Sequence, residues 1–403
     1  MKSFAFERLV NQYNNVPYTD ALKGTASLQP KYDKGEDVYK ACIAEIDKAI
    51  AAITAGQANA STVKITAATD PLFKGDMDLW KKFANSIKLR MLIKMAGVPA
   101  QAAYATAGFA SLNTTTVGFL TTTDALNQPG YEKTTRPTPI YSSLGFAGNG
   151  AVVNTSRIPT KWIFSFYNGN KLTDPGRGSV IYRNFPNTPI NQLGDESAGV
   201  PTALSAGSAW NTGTNATVSM PGVVKGPAQA QPVMIAAEVW FLLAEAYARG
   251  YLSGDAAAAF NNGITQSFTY LYKDASNAIA PGKNVAADVA AYQAANVTSP
   301  LVNFSLAVST EQKIEAIITQ KYIALNQINN DEAFNEFRRT TYPKIVNGSL
   351  DPLLTFASRQ SVSTHVDKLP TRYLYPSEEY NLNPANAPAG INKFSSLIFW
   401  DLN

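Results

Sequence analysis

The chain holds one cysteine and one histidine in 403 residues. A single cysteine, Cys42, excludes an internal disulfide framework. It sits beside the apolar stripe Tyr39, Ile43, Ile46, Ile50 and Ile53, which predicts a buried thiol. The one histidine, His365, lies in a run of serines and threonines, and metal motifs of the H-E-x-x-H or C-x-x-C kind are absent. Charge is scarce too: 16% of residues are Asp, Glu, Lys or Arg, with a net charge of +4. That is little for a cytosolic helical protein, and without an arginine-rich run it makes no case for nucleic acid. No segment has the roughly 18 uninterrupted apolar residues of a membrane helix. Met1 is not followed by a signal peptide, so the expectation is either a cytosolic protein or a chain whose native beginning lies outside it.

What is present can build a large core, with 45% hydrophobic and 11% aromatic residues. Residues 233–272 organise the rest. They read as two helices broken at Gly250 and Gly254, where glycine permits the left-handed backbone that ends a helix. Trp240, Leu243, Ala244 and Tyr247 fit W-x2-L-[small]-x2-Y, and Ala256 and Phe260 fit A-x3-F at the tetratricopeptide offset. Phe268 stands where that repeat has its closing proline, and an ordinary helical hairpin with a small-large core satisfies the same residues. Either way, Trp240 is expected between the two helices.

Elsewhere, helices are expected at 1–13, 37–53, 100–112, 284–295, 310–326 and 330–340, and from a cap at Asp76 or Asp78 through Met95. In that last helix Trp80, Phe83, Ala84, Ile87, Met91 and Met95 share one face, and Trp80 reads as core. Lys81, Lys82, Asn85 and Lys88 share the other, which reads as a solvated surface because no aromatics interleave with it. Residues 113–232 are rich in Thr, Asn, Gly and Pro, with helical periodicity only near 159–167. Turns and short strands are expected there, and the many aromatics argue for an ordered region over a linker. Four segments result: helical scaffold at 1–112, a loop-rich region at 113–232, more scaffold at 233–345, and an irregular segment at 346–403 packing on it. The fold class is mainly α: tetratricopeptide-like helical pairs with a loop-rich insertion carrying short strands.

Seven runs appear in one order. They are NVPYTDAL at 15–22, WKKFANSIKLR at 80–90, LTDPGR at 172–177, AEVWFLLAEA at 237–246, IITQKYIAL at 317–325, FRRTTYP at 337–343 and LPTRYLYPSEE at 369–379. Together they resemble the SusD/RagB family, the surface lipoproteins of Bacteroidota. Two runs depart from the family pattern: a glycine is inserted before Arg177, and Thr341 replaces a glycine. The family's lipid-bearing cysteine has no counterpart, and Cys42, inside a helix, cannot stand in for it. The resemblance implies four tetratricopeptide-like helical pairs carrying a loop-rich binding region. It also implies a cell-surface location at the outer membrane, a lipid anchor outside this chain, and a SusC-like TonB-dependent transporter as partner. The implied ligand is an oligosaccharide, or in some members a peptide. Arg338, Arg339, Arg372, Glu245 and Glu378 are expected to pair across helix ends, with the pairing left open.

Catalysis finds little footing. There is no nucleophile motif and no glycine-rich phosphate loop. A glycosidase needs two carboxyls about 5–10 Å apart across a cleft. Asp76 with Asp78, and Glu378 with Glu379, are sequence neighbours that read as caps or surface groups. No enzyme, cofactor or metal is therefore expected. Binding needs less: aromatic faces meet the C–H faces of sugars while amides and carboxylates take the hydroxyls. Trp210, in the polar run 208–215, is the first candidate platform, followed by Tyr182, Tyr131 and Tyr141. The tyrosines fit a small core of the loop region equally well. A surface nutrient-binding lipoprotein is the first reading, an intracellular tetratricopeptide scaffold the alternative, and a glycoside hydrolase the last.

Overall fold

Side-chain caps decide where most of the long helices begin. The computed structural model describes residues 1–153, 158–188, 190, 210–213 and 219–403. The first helices are α1 (Lys2–Tyr13), α2 (Gly35–Ala58), α3 (Met77–Ala96) and α4 (Ala102–Asn113). Asp76 opens α3 by accepting from the N–H groups of Asp78 and Leu79, both at 2.9 Å. The middle of the chain supplies β1 (Ala125–Asn127), α5 (Pro139–Leu144), α6 (Lys161–Phe164), α7 (Pro175–Ile181) and β2 (Gln231–Met234). Then come α8 (Ala236–Ala248), α9 (Ala256–Tyr272), α10 (Val285–Ala295), α11 (Thr310–Leu325), α12 (Asn330–Thr340) and α13 (Ser377–Leu382). Asp255, Asn284 and Asn329 cap α9, α10 and α12, and a reciprocal Ser309–Gln312 capping box starts α11.

Helices adjacent in sequence pack as pairs: α1 with α2, α3 with α4, α8 with α9, and α11 with α12. Contacts of α3 with α8, and of α8 with α11, join the pairs across the intervening loop region. The chain is thus mainly helical, and among the described residues its only sheet is the antiparallel pair β1–β2. One hydrophobic core runs from Phe6 to Trp400 and takes in residues from all four segments. Cys42 is fully buried within it, and burial pushes its thiol up to about 12. No helix among the described residues is long and apolar enough to cross a membrane.

Three local expectations change. The stretch 233–272, read as two helices, opens as strand: β2 pairs through Met234 with Ala125 before α8 starts at Ala236. Trp240 does not enter the groove between α8 and α9. It is half-buried, and its indole N–H donates to the Thr121 carbonyl at 2.9 Å. Phe241, one residue further round the helix, fills the groove instead, edge-on to Phe260 at 6.1 Å and over Gly263. Leu243, Ala244 and Phe260 are buried as the repeat pattern requires, while Tyr247, Ala256 and Trp80 are half-buried. The second face of α3 is not solvated. Asn85 and Lys88 are buried, and Lys88 reaches Asp47 of α2 at 2.6 Å.

The charged residues of the sequence runs converge inside the scaffold. Arg90 of α3 meets Glu7 of α1 and, at 2.7 Å, Glu238 of α8. Lys94 meets Glu332 of α12 at 2.8 Å, and Lys321 of α11 meets Glu336 at 3.3 Å. Arg339 closes the chain on Glu245 of α8 at 2.6 Å, and Arg249 reaches the same carboxylate at 2.8 Å. Five carboxylates thus face five cations, and only Arg249 is more than 8% exposed. Burial alone would raise the Glu245 carboxyl, but Arg339 and Arg249 outweigh it and hold it at about 2. Arg338 instead donates to the carbonyls of Thr371 and Asn11, and Arg372 to that of Tyr13. Glu378 is exposed and takes no arginine.

Candidate functional site

The turn between α11 and α12 is built from amides. Asn326 ends α11, Gln327 adopts a positive φ of 63°, and Asn329 caps α12. Asn330 Oδ1 accepts from the Gln327 N–H at 2.8 Å, which pins the turn from within. Beneath it, Asn326 Nδ2 donates to the hydroxyls of Tyr182 at 2.8 Å and Tyr167 at 3.1 Å. The polar run thus stands on a buried aromatic floor.

A cleft of about 450 Å³ opens on one side of this turn. That lies within the range of about 300–1,000 Å³ usual for small-molecule sites. Phe4 and Arg8 come from α1, and Pro139, Ile140 and Ser143 from α5. Gln231 and Pro232 come from β2, and residues 327–331 from the turn. Arg8 and Asp331 pair at 2.9 Å with both side chains 40% exposed, so either is free to exchange its partner for a ligand hydroxyl. Gln231 is committed, its Oε1 accepting from the Ile140 N–H at 3.0 Å. A smaller cavity of about 170 Å³ borders the same turn, lined by Tyr322, Phe334, Phe337 and Phe356 with Asn326 and Asn330. Asn330 lines both.

None of the four residues picked from the sequence lines this cleft. Trp210 is 4% exposed, so the expected open platform is not what the structure has there. Its ring packs 6.4 Å from that of Tyr182, itself buried among Phe164 and Tyr167. The pair supports the turn from behind, through Asn326. Of the run 208–215, residues 208, 209, 214 and 215 lie outside the described residues. Tyr141 is fully buried in a separate cluster with Phe146 and Val224. Tyr131 is half-buried, its backbone N–H held by Gln128 at 2.6 Å. The residues that do line the cleft had one signal in the sequence: four amides and an aspartate within 326–331, between two strong helices.

The carboxylates weighed for catalysis have other tasks. Asp76 caps α3, Asp78 pairs with Lys81 at 2.8 Å, and Glu379 accepts from the Tyr32 hydroxyl at 2.6 Å. His365 Nδ1 lies 2.7 Å from Asp367. The Asp174–Arg177 pair of the LTDPGR run is buried at 2.5 Å, with Arg177 also donating to Ser267 at 3.0 Å, so it ties α7 to α9.

No curated protein matches the chain by sequence. Among solved structures, a SusD homologue from Bacteroides uniformis is 23% identical with a TM-score of 0.71, over 100% of this chain and 81% of its own. A chitin-binding SusD homologue from Flavobacterium johnsoniae is 20% identical with a TM-score of 0.67, over 100% of this chain and 80% of its own. A SusD homologue from Bacteroides fragilis is 22% identical with a TM-score of 0.67, over 99% and 82%. At such identities these likenesses speak for the fold. A family model described as starch-binding and associating with the outer membrane matches residues 1–376, and the chain belongs to this SusD-like family.

Proposed function

We propose that the protein binds a glycan in the cleft beside the α11–α12 turn and delivers it to a SusC-like TonB-dependent transporter. The observation that carries this reading is a polar cleft and an aromatic cavity that border one turn and share Asn330. Arg8, Asp331 and the turn amides supply directional partners for hydroxyls. Tyr322, Phe334 and Phe356 supply apolar area for the C–H faces of a sugar ring. The family's starch-binding description and the chitin-binding relative support a polysaccharide-derived ligand over a peptide. Segment 113–232 serves the site as a wall, through α5 and β2, and not through exposed aromatics of its own. In the same reading the protein is held at the cell-surface face of the outer membrane by a lipid anchor and binds without turnover.

Titrating the pure protein with chitin- and starch-derived oligosaccharides tests the binding. Heat of binding is expected from one series, with the sugars returned intact on chromatography after long incubation. Cleaved products, or no heat from any oligosaccharide, overturn the reading. Co-purification of a TonB-dependent barrel from outer membranes tests the partner.

A further inference from the structure

A further cavity, of about 280 Å³, lies across the aromatic layer from the Asn330 side. Trp162 and Phe166 line it, and their rings touch those of Phe356 at 5.5 Å and Tyr322 at 6.1 Å, which line the smaller cavity. Its remaining walls come from Lys171, from Leu301, from α11 and from the loop after α12. That loop closes on itself where the Val346 N–H donates to the Leu354 carbonyl at 2.8 Å. It leaves Val346 51% and Leu354 43% exposed beside the cavity that they line.

Into this largely apolar space projects the amine of Lys171. Lys171 Nζ sits 3.0 Å from the centre of the Trp162 ring and 4.9 Å from that of Phe166. Among the described residues it has no hydrogen-bond acceptor and no ion pair. Asp351 attracts it from the loop, and Glu315 and Lys344 also line the cavity, but none pairs with it. The ring faces offset part of the ammonium's lost hydration without neutralising its charge. Burial pushes the amine down to about 7, against the pull of Asp351.

We propose that this cavity is a second binding site, for a small ligand with an apolar body and one carboxylate, which supplies the counter-ion that Lys171 lacks. Largely apolar walls around an amine without a partner favour a monoanion over a neutral sugar, whose hydroxyls would find few partners there. A doubly charged phosphate would ask for more donors than this lining offers, and Glu315 would oppose its second charge. The size suits an acid of the benzoate to octanoate range, because the volume lies just below that of drug-sized sites, about 300–1,000 Å³. Binding requires the charged amine, so a carboxylate carries a proton in with it, and affinity falls about tenfold per pH unit above about 7. The inference stands apart from the glycan reading, since none of these residues lines the cleft.

Calorimetric titration with octanoate and with octanamide, its neutral isostere, tests it at about pH 6 and about pH 8. Octanoate is expected to bind at least about tenfold tighter than octanamide at the lower pH, and to lose about tenfold at the higher, while octanamide holds steady. Lys171→Met should erase the preference. Lys171→Arg should keep it and remove the pH dependence, which guards against a variant that merely misfolds. Equal affinity for the two ligands, a preference that survives Lys171→Met, or no octanoate binding at millimolar concentration each overturns the proposal.

Discussion

Arg90 of α3 and Glu238 of α8 meet at 2.7 Å, 148 residues apart in sequence, with side chains 2% and 0% exposed. Arg90 also holds Glu7, so one guanidinium ties three helices across the centre of the scaffold. A buried ion is costly to leave alone, and the pair is worth more as a lock on geometry than as net stabilisation. Arg90→Leu strands Glu238 and leaves Glu7 with Lys94 alone, at 3.5 Å. It is expected to cost about 3–5 kcal/mol by denaturant unfolding. A loss under about 1 kcal/mol would mean that the pocket admits water or that the carboxyls protonate freely.

The same network sets the response to acid. Glu245 titrates at about 2 in the folded protein against a reference value of 4.5, because Arg339 and Arg249 overcome the penalty of burial. The unfolded chain therefore binds more protons between those values, and stability falls as pH drops through that window. Glu332, held well below its reference value by Lys94, Arg90 and Lys321 against its own burial, adds in the same direction. Arg339→Met is expected to be less stable than the native chain at neutral pH, with the difference shrinking as pH falls through the window. Thermal unfolding of both proteins across that range checks it; a constant difference would place the effect elsewhere.

The hairpin of α8 and α9 packs to contact at Gly263, where an added Cβ would come 2.6 Å from the Phe241 ring. Gly263→Ala is expected to destabilise by about 1–3 kcal/mol, as overpacking does. Pairing it with Phe241→Leu should recover part of that loss, since the ring is the obstacle. Additive losses in the double variant, measured by unfolding, would mean that the two residues do not share the clash.

What the sequence made legible was local. A cap at Asp76 or Asp78 and the apolar stripes of α2 and α11 need only near neighbours, and they place the starts of those helices within a turn. Trp240 was misplaced by one position because a spacing along one helix does not say which of two adjacent aromatics faces the groove, and only the partner helix chooses between them. Lys88 looked solvated because its partner Asp47 lies 41 residues away. Helices α5 and α7, of 6 and 7 residues, are too short to show a period, although Asp174 followed by Pro175 is a helix start. The cleft was least visible. Its walls come from four separate stretches, and nothing in any one of them announces the others.

Trp210 and Arg8 separate the support of the site from its contact surface. Trp210 is buried on Tyr182, which holds Asn326, so Trp210→Ala removes packing under the turn. A cost of about 3–5 kcal/mol in stability is expected, as for other buried large aromatics. Glycan affinity of the folded fraction should change little. Arg8 pairs with Asp331 in a half-exposed position, where removing one partner costs at most about 1 kcal/mol of stability. Arg8→Ala is nevertheless expected to weaken glycan binding by about 1–3 kcal/mol, the worth of hydrogen bonds to a charged group. Calorimetric binding and thermal unfolding of both variants decide the matter. If Trp210→Ala abolishes binding at unchanged stability while Arg8→Ala binds normally, the ligand sits on the loop region and the cleft is not its site.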